Sequence, residues 1–222
     1  MAILGKLYNR FRQVIVKPEE NGEPSSGYWP FKIRKQAVEM CKERKGELLE
    51  MGCGEGLFLE RIAKLAPQLD ILGIDSSNEI LNKARRRIEG ANLSNVKVRL
   101  GEAQNLPLDN DSFDTVVCLN MLYNLPSKEE VLETIKEMAR VCKPEGRIIF
   151  DIRNKLNPET FLRFKLVKYY DPQCPWPLKA YRVKEISDAL KKIGLEVTRK
   201  APIGFPLSFI APVVLIEARK RL

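Results

Sequence analysis

Histidine is missing from all 222 residues, which removes the commonest neutral-pH base and the commonest metal ligand. Cysteine does not fill the gap. The five cysteines, Cys41, Cys53, Cys118, Cys142 and Cys174, are odd in number and form no C-x-x-C pair. Neither a disulfide framework nor a zinc site is indicated, and a reducing compartment is expected. No apolar run approaches the ~18 residues of a membrane span. The first residues lack the apolar stretch and small-residue cleavage site of a secretory signal. A cytoplasmic protein with no transmembrane segment is therefore expected. Internal repeats and low-complexity segments are also lacking, and the length suits one domain with appended elements.

Charge is plentiful but uneven. Residues 1–40 carry 7 basic and 4 acidic groups, residues 41–150 carry 16 and 18, and residues 151–222 carry 15 and 7. The middle of the chain is near neutral while its flanks are basic, which favours an anionic partner or acceptor. Dispersed Lys and Arg that merely solvate helix surfaces would give the same count.

Residues 48–56, Leu-Leu-Glu-Met-Gly-Cys-Gly-Glu-Gly, run a short apolar strand into three alternate glycines and then a helical pattern. Gly52, Gly54 and Gly56 allow a tight turn whose N–H groups can lie against a ligand at the helix N-terminus. A dinucleotide fingerprint would place its third glycine at position 57, where the chain has Leu57. A plain NAD fold is thus disfavoured.

From residue 47 the periodicity predicts strand 47–51, helix 56–66, strand 70–74, helix 77–89, strands 96–100 and 114–119, helix 127–142 and strand 146–152. Helices near 158–169 and 183–193 and strands near 195–200 and 212–218 follow. Seven strands alternating with helices imply an α/β fold with a mostly parallel sheet covered on both faces. Residues 1–16 place Ile3, Leu4, Leu7, Phe11 and Val14 at helical spacing with Lys6, Arg10 and Arg12, an amphipathic helix that packs on the core or lies on a membrane surface. A second helix through Ile33, Ala37 and Cys41 has Pro30 in its first turn. The expected single domain thus divides into an N-terminal helical cap (1–45), a cofactor core (46–152), a lid insertion after the fifth strand (153–182) and a C-terminal helix with antiparallel strands (183–222).

The pattern E-x-G-x-G-x-G, with Asp75 ending the next strand, resembles motif I of class I S-adenosylmethionine (SAM)-dependent methyltransferases. The resemblance covers about residues 46–152 and implies a Rossmann-like fold that binds SAM and releases S-adenosylhomocysteine. It implies that Gly52, Cys53, Gly54 and Gly56 wrap the cofactor and that Glu50 reaches its ammonium. It further implies that Asp75, beside Ser76, accepts both ribose hydroxyls, as an ionised carboxylate can. The alternative for Asp75 is a helix N-cap, a task that Ser76 or Ser77 could also perform. Glu102 and Ala103 resemble the adenine-binding segment, although Asp is commoner at the position of Glu102. Asn120 would lie at the end of the fourth strand beside the cofactor.

Methyl transfer asks mainly that an acceptor be held in line with the sulfonium at about 3 Å. If a base is needed, Tyr123 and Asp151 are candidates, with Glu102 or a lid residue as others. Asn120-Met121-Leu122-Tyr123 keeps the Asn and Tyr of the Asn-Pro-Pro-Tyr loop of amino-group methyltransferases but lacks both prolines. The Leu-Tyr-Asn-Leu run more closely resembles the small-molecule branch related to ubiquinone and menaquinone methyltransferases. A small or amphipathic acceptor is the leading reading, with Tyr28, Trp29, Trp176 and Tyr181 as an aromatic lid and Arg153 and Asn154 meeting a polar or anionic group. RNA methylation through the basic flanks and a non-catalytic SAM-binding role are the alternatives.

Overall fold

The computed structural model describes residues 28–170, 178–204 and 208–221. The elements in chain order are α1 Tyr28–Cys41, β1 Gly46–Met51, α2 Leu57–Leu65, β2 Leu69–Asp75, α3 Asn78–Gly90, β3 Val96–Leu100 and β4 Phe113–Cys118. They continue with α4 Lys128–Val141, β5 Cys142–Arg153, α5 Pro158–Tyr170, α6 Val183–Lys192, β6 Leu195–Ile203 and β7 Val213–Lys220. Short 3-10 turns at Leu122–Asn124 and Ser208–Ile210 lie outside the sequence-based expectation. The expected helix over 1–16 falls outside the described residues. None of the described helices is long and apolar enough to cross a membrane.

All seven strands form one sheet in the order β3-β2-β1-β4-β5-β7-β6. Strands β1 to β5 pair in parallel, and β7 runs antiparallel to both β5 and β6. Alternate strand residues point to opposite faces, so each central strand feeds two cores. On one face Leu48, Val117 and Ile149 meet Ile33 and Val38 of α1, Phe58 and Ile62 of α2 and Leu81 and Ile88 of α3. On the other, Leu49, Val116 and Phe150 meet Val131, Ile135 and Met138 of α4 and Ile186 and Leu190 of α6. This two-sided cover is why the inner strands read as continuous apolar runs.

Two boundaries differ from the sequence-based expectation. Strand β5 begins at Cys142, not 146, because the chain leaves α4 directly into pairing with Phe113 and absorbs Lys143 to Gly146 in a register shift. A Cβ at Gly146 would lie 2.6 Å from the Cys142 sulfur, so the segment requires glycine there. Tyr28 and Trp29 belong to the first turn of α1 and not to the loop before it. The antiparallel pair closes one edge of the sheet as expected, with β7 beside β5 and β6, which carries Pro202, outermost.

Candidate active site

At the carboxyl end of β1 the chain turns through Gly52, Gly54 and Gly56, with φ of 71°, 53° and 78°. These left-handed values are costly for residues with a Cβ. The N–H groups of Gly52 and Cys53 both donate to the Ile74 carbonyl, at 2.8 and 3.0 Å, and Gly56 N–H donates to the Cys53 carbonyl at 3.0 Å. Gly54 N–H donates to Asp75 Oδ2 at 2.9 Å. The expected cradle of free N–H groups is therefore largely closed on itself, because the loop must anchor to β2 to hold its shape. Its open surface is at Gly54, where an added Cβ would meet nothing within 4 Å. At Gly52 a Cβ would come 2.7 Å from Met121 Sδ, and at Gly73 of β2 it would come 2.6 Å from Leu59 Cδ1 and 3.0 Å from Cys53 Sγ. Gly73 went unnoticed in the sequence; a glycine inside an apolar strand was the available signal.

Asp75, half-buried at the end of β2, accepts from Gly54 N–H and, through Oδ1, from Ser77 N–H at 3.0 Å. Each carboxylate oxygen retains a second lone pair for a further donor. Ser77 caps α3 by accepting from Ile80 N–H, which leaves Asp75 free of that task, while Ser76 is exposed. Leu100 pairs with Asp75 across β2 and β3, and Gly101 N–H donates to the Asp75 carbonyl at 3.1 Å. The following turn, with Glu102 exposed and Ala103 half-buried, thus lies beside the end of β2.

Glu50 is buried, and its Oε2 has no hydrogen-bond partner. Burial holds its pKa well above the ordinary carboxylate value, Arg34 draws it down, and the Asp75 charge raises it further. Arg34 itself is buried on α1. It was not singled out in the sequence, although Ile33, Arg34, Ala37, Val38 and Cys41 share one helical face and an arginine in such a series marks a charge turned inward.

A second cluster forms where β4 and β5 end. Asn120 has φ of 58°. Its N–H donates to Asp151 Oδ1 at 2.5 Å. Arg153 donates to Asp151 Oδ2 at 2.6 Å and to Asn120 Oδ1 at 3.0 Å. The Arg153 guanidinium also lies 4.3 Å over the Tyr123 ring. Burial raises the Asp151 pKa against the opposing pull of Arg153. With both oxygens accepting, Asp151 is arranged to hold Asn120 and Arg153 in place.

The expected acceptor-side residues do not assemble as one lid. Tyr28 and Trp29 pack edge to face at 4.7 Å, and Trp29 lies close enough to Gly204 that a Cβ there would be 2.7 Å from its ring. Tyr181 belongs to the core on the opposite face of the sheet, where burial chiefly pushes its phenol up to about 12 and its hydroxyl has no partner. Trp176 lies outside the described residues. Arg153 is buried in the Asn120 cluster. Asn154, fully buried, donates to the Phe209 and Ala211 carbonyls at 3.0 Å and accepts from Leu156 N–H at 3.0 Å. Its amide is consumed in joining β5 to the segment before β7 and is not available to an acceptor.

A mostly parallel seven-stranded sheet with an antiparallel β7, a glycine loop after β1 and an acid ending β2 defines the fold of SAM-dependent methyltransferases. A solved SAM-dependent methyltransferase from Clostridium acetobutylicum superposes with a TM-score of 0.68 at 16% identity, over 97% of this chain and 99% of that one. Residues 48–146 match the family model described as a methyltransferase domain. Among curated relatives, a phosphatidylethanolamine N-methyltransferase of Cereibacter sphaeroides is 34% identical over 117 residues, covering 52% of this chain and 55% of the relative. A demethylmenaquinone methyltransferase of Lactobacillus johnsonii is 33% identical over 129 residues, covering 56% and 52%. The chain thus spans about half the length of the curated relatives it matches.

Proposed function

We propose that the protein binds SAM across the carboxyl ends of β1, β2 and β3 and moves its methyl group to a small or amphipathic acceptor by in-line displacement. The observation that carries this reading is Glu50: a buried carboxylate oxygen without a partner at the mouth of the glycine loop is completed by a cationic donor. The ammonium of the cofactor's methionine portion is such a donor. Asp75 offers its remaining lone pairs to a vicinal diol, while Glu102 and the backbone of Ala103 take the base. The open face at Gly54 leaves room for a ligand to approach the backbone.

When bound, the sulfonium supplies an electrophilic methyl and a good leaving group. The chain's contribution is then to hold the acceptor in line and exclude water. Asn120, fixed by Asp151 and Arg153, borders that space, and the Tyr123 ring packs against the Arg153 guanidinium. The names of the two curated relatives, one a phospholipid and one a quinone methyltransferase, support an amphipathic acceptor.

Incubation with methyl-labelled SAM and a fractionated cell extract tests the reading. Label in an organic-extractable or small-metabolite pool is the expected result, and label confined to a nuclease-sensitive pool would overturn the acceptor class. Asp75→Ala should abolish SAM binding in calorimetry while the protein stays folded; unchanged affinity would defeat the cofactor site.

A further inference from the structure

Among the described residues eight large apolar side chains are exposed, and five of them gather in one region: Leu156, Phe161, Leu162, Leu166 and Phe209. Leu162 and Leu166 stack one turn apart on α5, and Phe161 is exposed beside them. Phe209 is tied to the same region, because Asn154 Nδ2 donates to its carbonyl and Asn157 Nδ2 donates to the Ile210 carbonyl at 2.8 Å. Leu162 and Phe209 are 57% and 65% exposed, so these rings and branches face water outright.

Helix α5 is unlike its neighbours. The outer side of α3 presents Glu79, Asn82, Arg86 and Glu89, and that of α4 presents Glu129, Glu133 and Lys136. By contrast α5 buries Thr160 and Phe164 on one side and exposes apolar residues on the other. A helix apolar on both sides ordinarily has both sides covered, and a contiguous exposed apolar patch marks an interaction surface. Lys165 lies on the exposed face and Lys155 stands exposed before the helix. Among the described side chains of 155–166 the exposed charges are Lys155 and Lys165 against Glu159. Apolar side chains among cations match an anionic bilayer surface, which offers a negative headgroup layer above a hydrocarbon interior.

The patch also has a position relative to the site. Phe164, on the buried side of α5, lies 6.1 Å from the Tyr123 ring, which in turn supports Arg153. One side chain therefore separates the exposed face from the cluster at the ends of β4 and β5.

We propose that the outer face of α5, with Leu156 and Phe209, docks on an anionic lipid bilayer and brings the acceptor side of the site to the interface. The link to catalysis rests on the amphipathic-acceptor reading above, whereas the docking itself does not. Co-sedimentation of the full chain with vesicles of phosphatidylcholine, alone or with a minority of phosphatidylglycerol, tests it. Binding to the mixed vesicles is expected, weakening with added salt and falling about tenfold or more in Leu162→Asp/Leu166→Asp. Lys165→Glu should weaken it several-fold. Both changes sit on exposed positions, and unchanged affinity for S-adenosylhomocysteine in calorimetry shows that the variants remain folded. No vesicle binding by the unaltered chain, or equal binding by the double variant, would overturn the proposal. So would a dimer in sedimentation velocity that the double variant splits, since the face would then belong to a second copy. Vesicle binding without any affinity for SAM or S-adenosylhomocysteine would defeat the cofactor reading and leave the docking surface standing.

Discussion

The backbone N–H of Asn120, in a left-handed conformation, donates to Asp151 Oδ1 at 2.5 Å, so the end of β4 is pinned by a carboxylate of β5. The same carboxylate accepts from Arg153, and both partners are buried. Removing one charge of such a pair leaves the other unpaired in a low-dielectric setting, at a cost of about 3–5 kcal/mol. Asp151→Asn should therefore lower the urea midpoint substantially. Methyl transfer should fall more than SAM affinity, as read from kcat against the cofactor's dissociation constant. Unchanged stability would show that the ion pair contributes nothing.

If Glu50 meets the cofactor's ammonium as proposed, cofactor affinity should depend on pH. Its folded pKa is raised by burial, so its contribution to stability is full below the unfolded value of about 4.3 and is lost as pH rises through the folded pKa. A cationic donor at Oε2 favours the charged form, so binding should release a proton. Affinity for SAM should rise with pH across that window in the unaltered protein and be flat in Glu50→Gln. Calorimetry in buffers of different ionisation enthalpy measures the proton directly, and zero release would exclude Glu50 as the ammonium's partner.

Two glycines should separate binding from folding. Gly54→Ala meets open space but keeps φ of 53°, so a stability loss of about 1–2 kcal/mol is expected, with a larger loss of SAM affinity. Gly73→Ala instead drives a methyl into Leu59 and Cys53 and should cost about 1–3 kcal/mol through overpacking. Thermal melts with and without S-adenosylhomocysteine compare the two; equal ligand-induced shifts would contradict the division.

Asn154→Ala should unfold more easily without touching the cofactor. It strips the Phe209 and Ala211 carbonyls and the Leu156 N–H of their partner. Groups left unsatisfied cost about 1–3 kcal/mol each when buried, less where water enters. A clearly lowered urea midpoint with intact SAM affinity is expected. Lost affinity at unchanged stability would restore Asn154 to the acceptor pocket.

Much of the candidate cofactor site was legible because it is local. Glu50, the glycine loop and Asp75 sit at strand ends that periodicity alone delimits, and glycine is the residue type that permits the positive φ values found at Gly52, Gly54 and Gly56. The acceptor side was read less well. Tyr181 looks like any loop aromatic in one dimension, yet the chain carries it to the core on the far face of the sheet. Asn154 looks like a polar group after a strand, and only its three partners from residues 156, 209 and 211 reveal it as a tie.

The amino-acid order by itself determined the alternation of strands and helices and the position of the glycine turn after β1, because each rests on patterns among residues close in sequence. Tertiary structure alone decided that Arg34 turns inward toward Glu50, that Asp151 spends its charge on Asn120 and Arg153, and that β7 inserts between β5 and β6. Among the described residues it also left Phe161, Leu162 and Leu166 of α5 exposed. Burial and pairing across tens of residues depend on which surfaces the folded sheet brings together, and no local pattern carries that information.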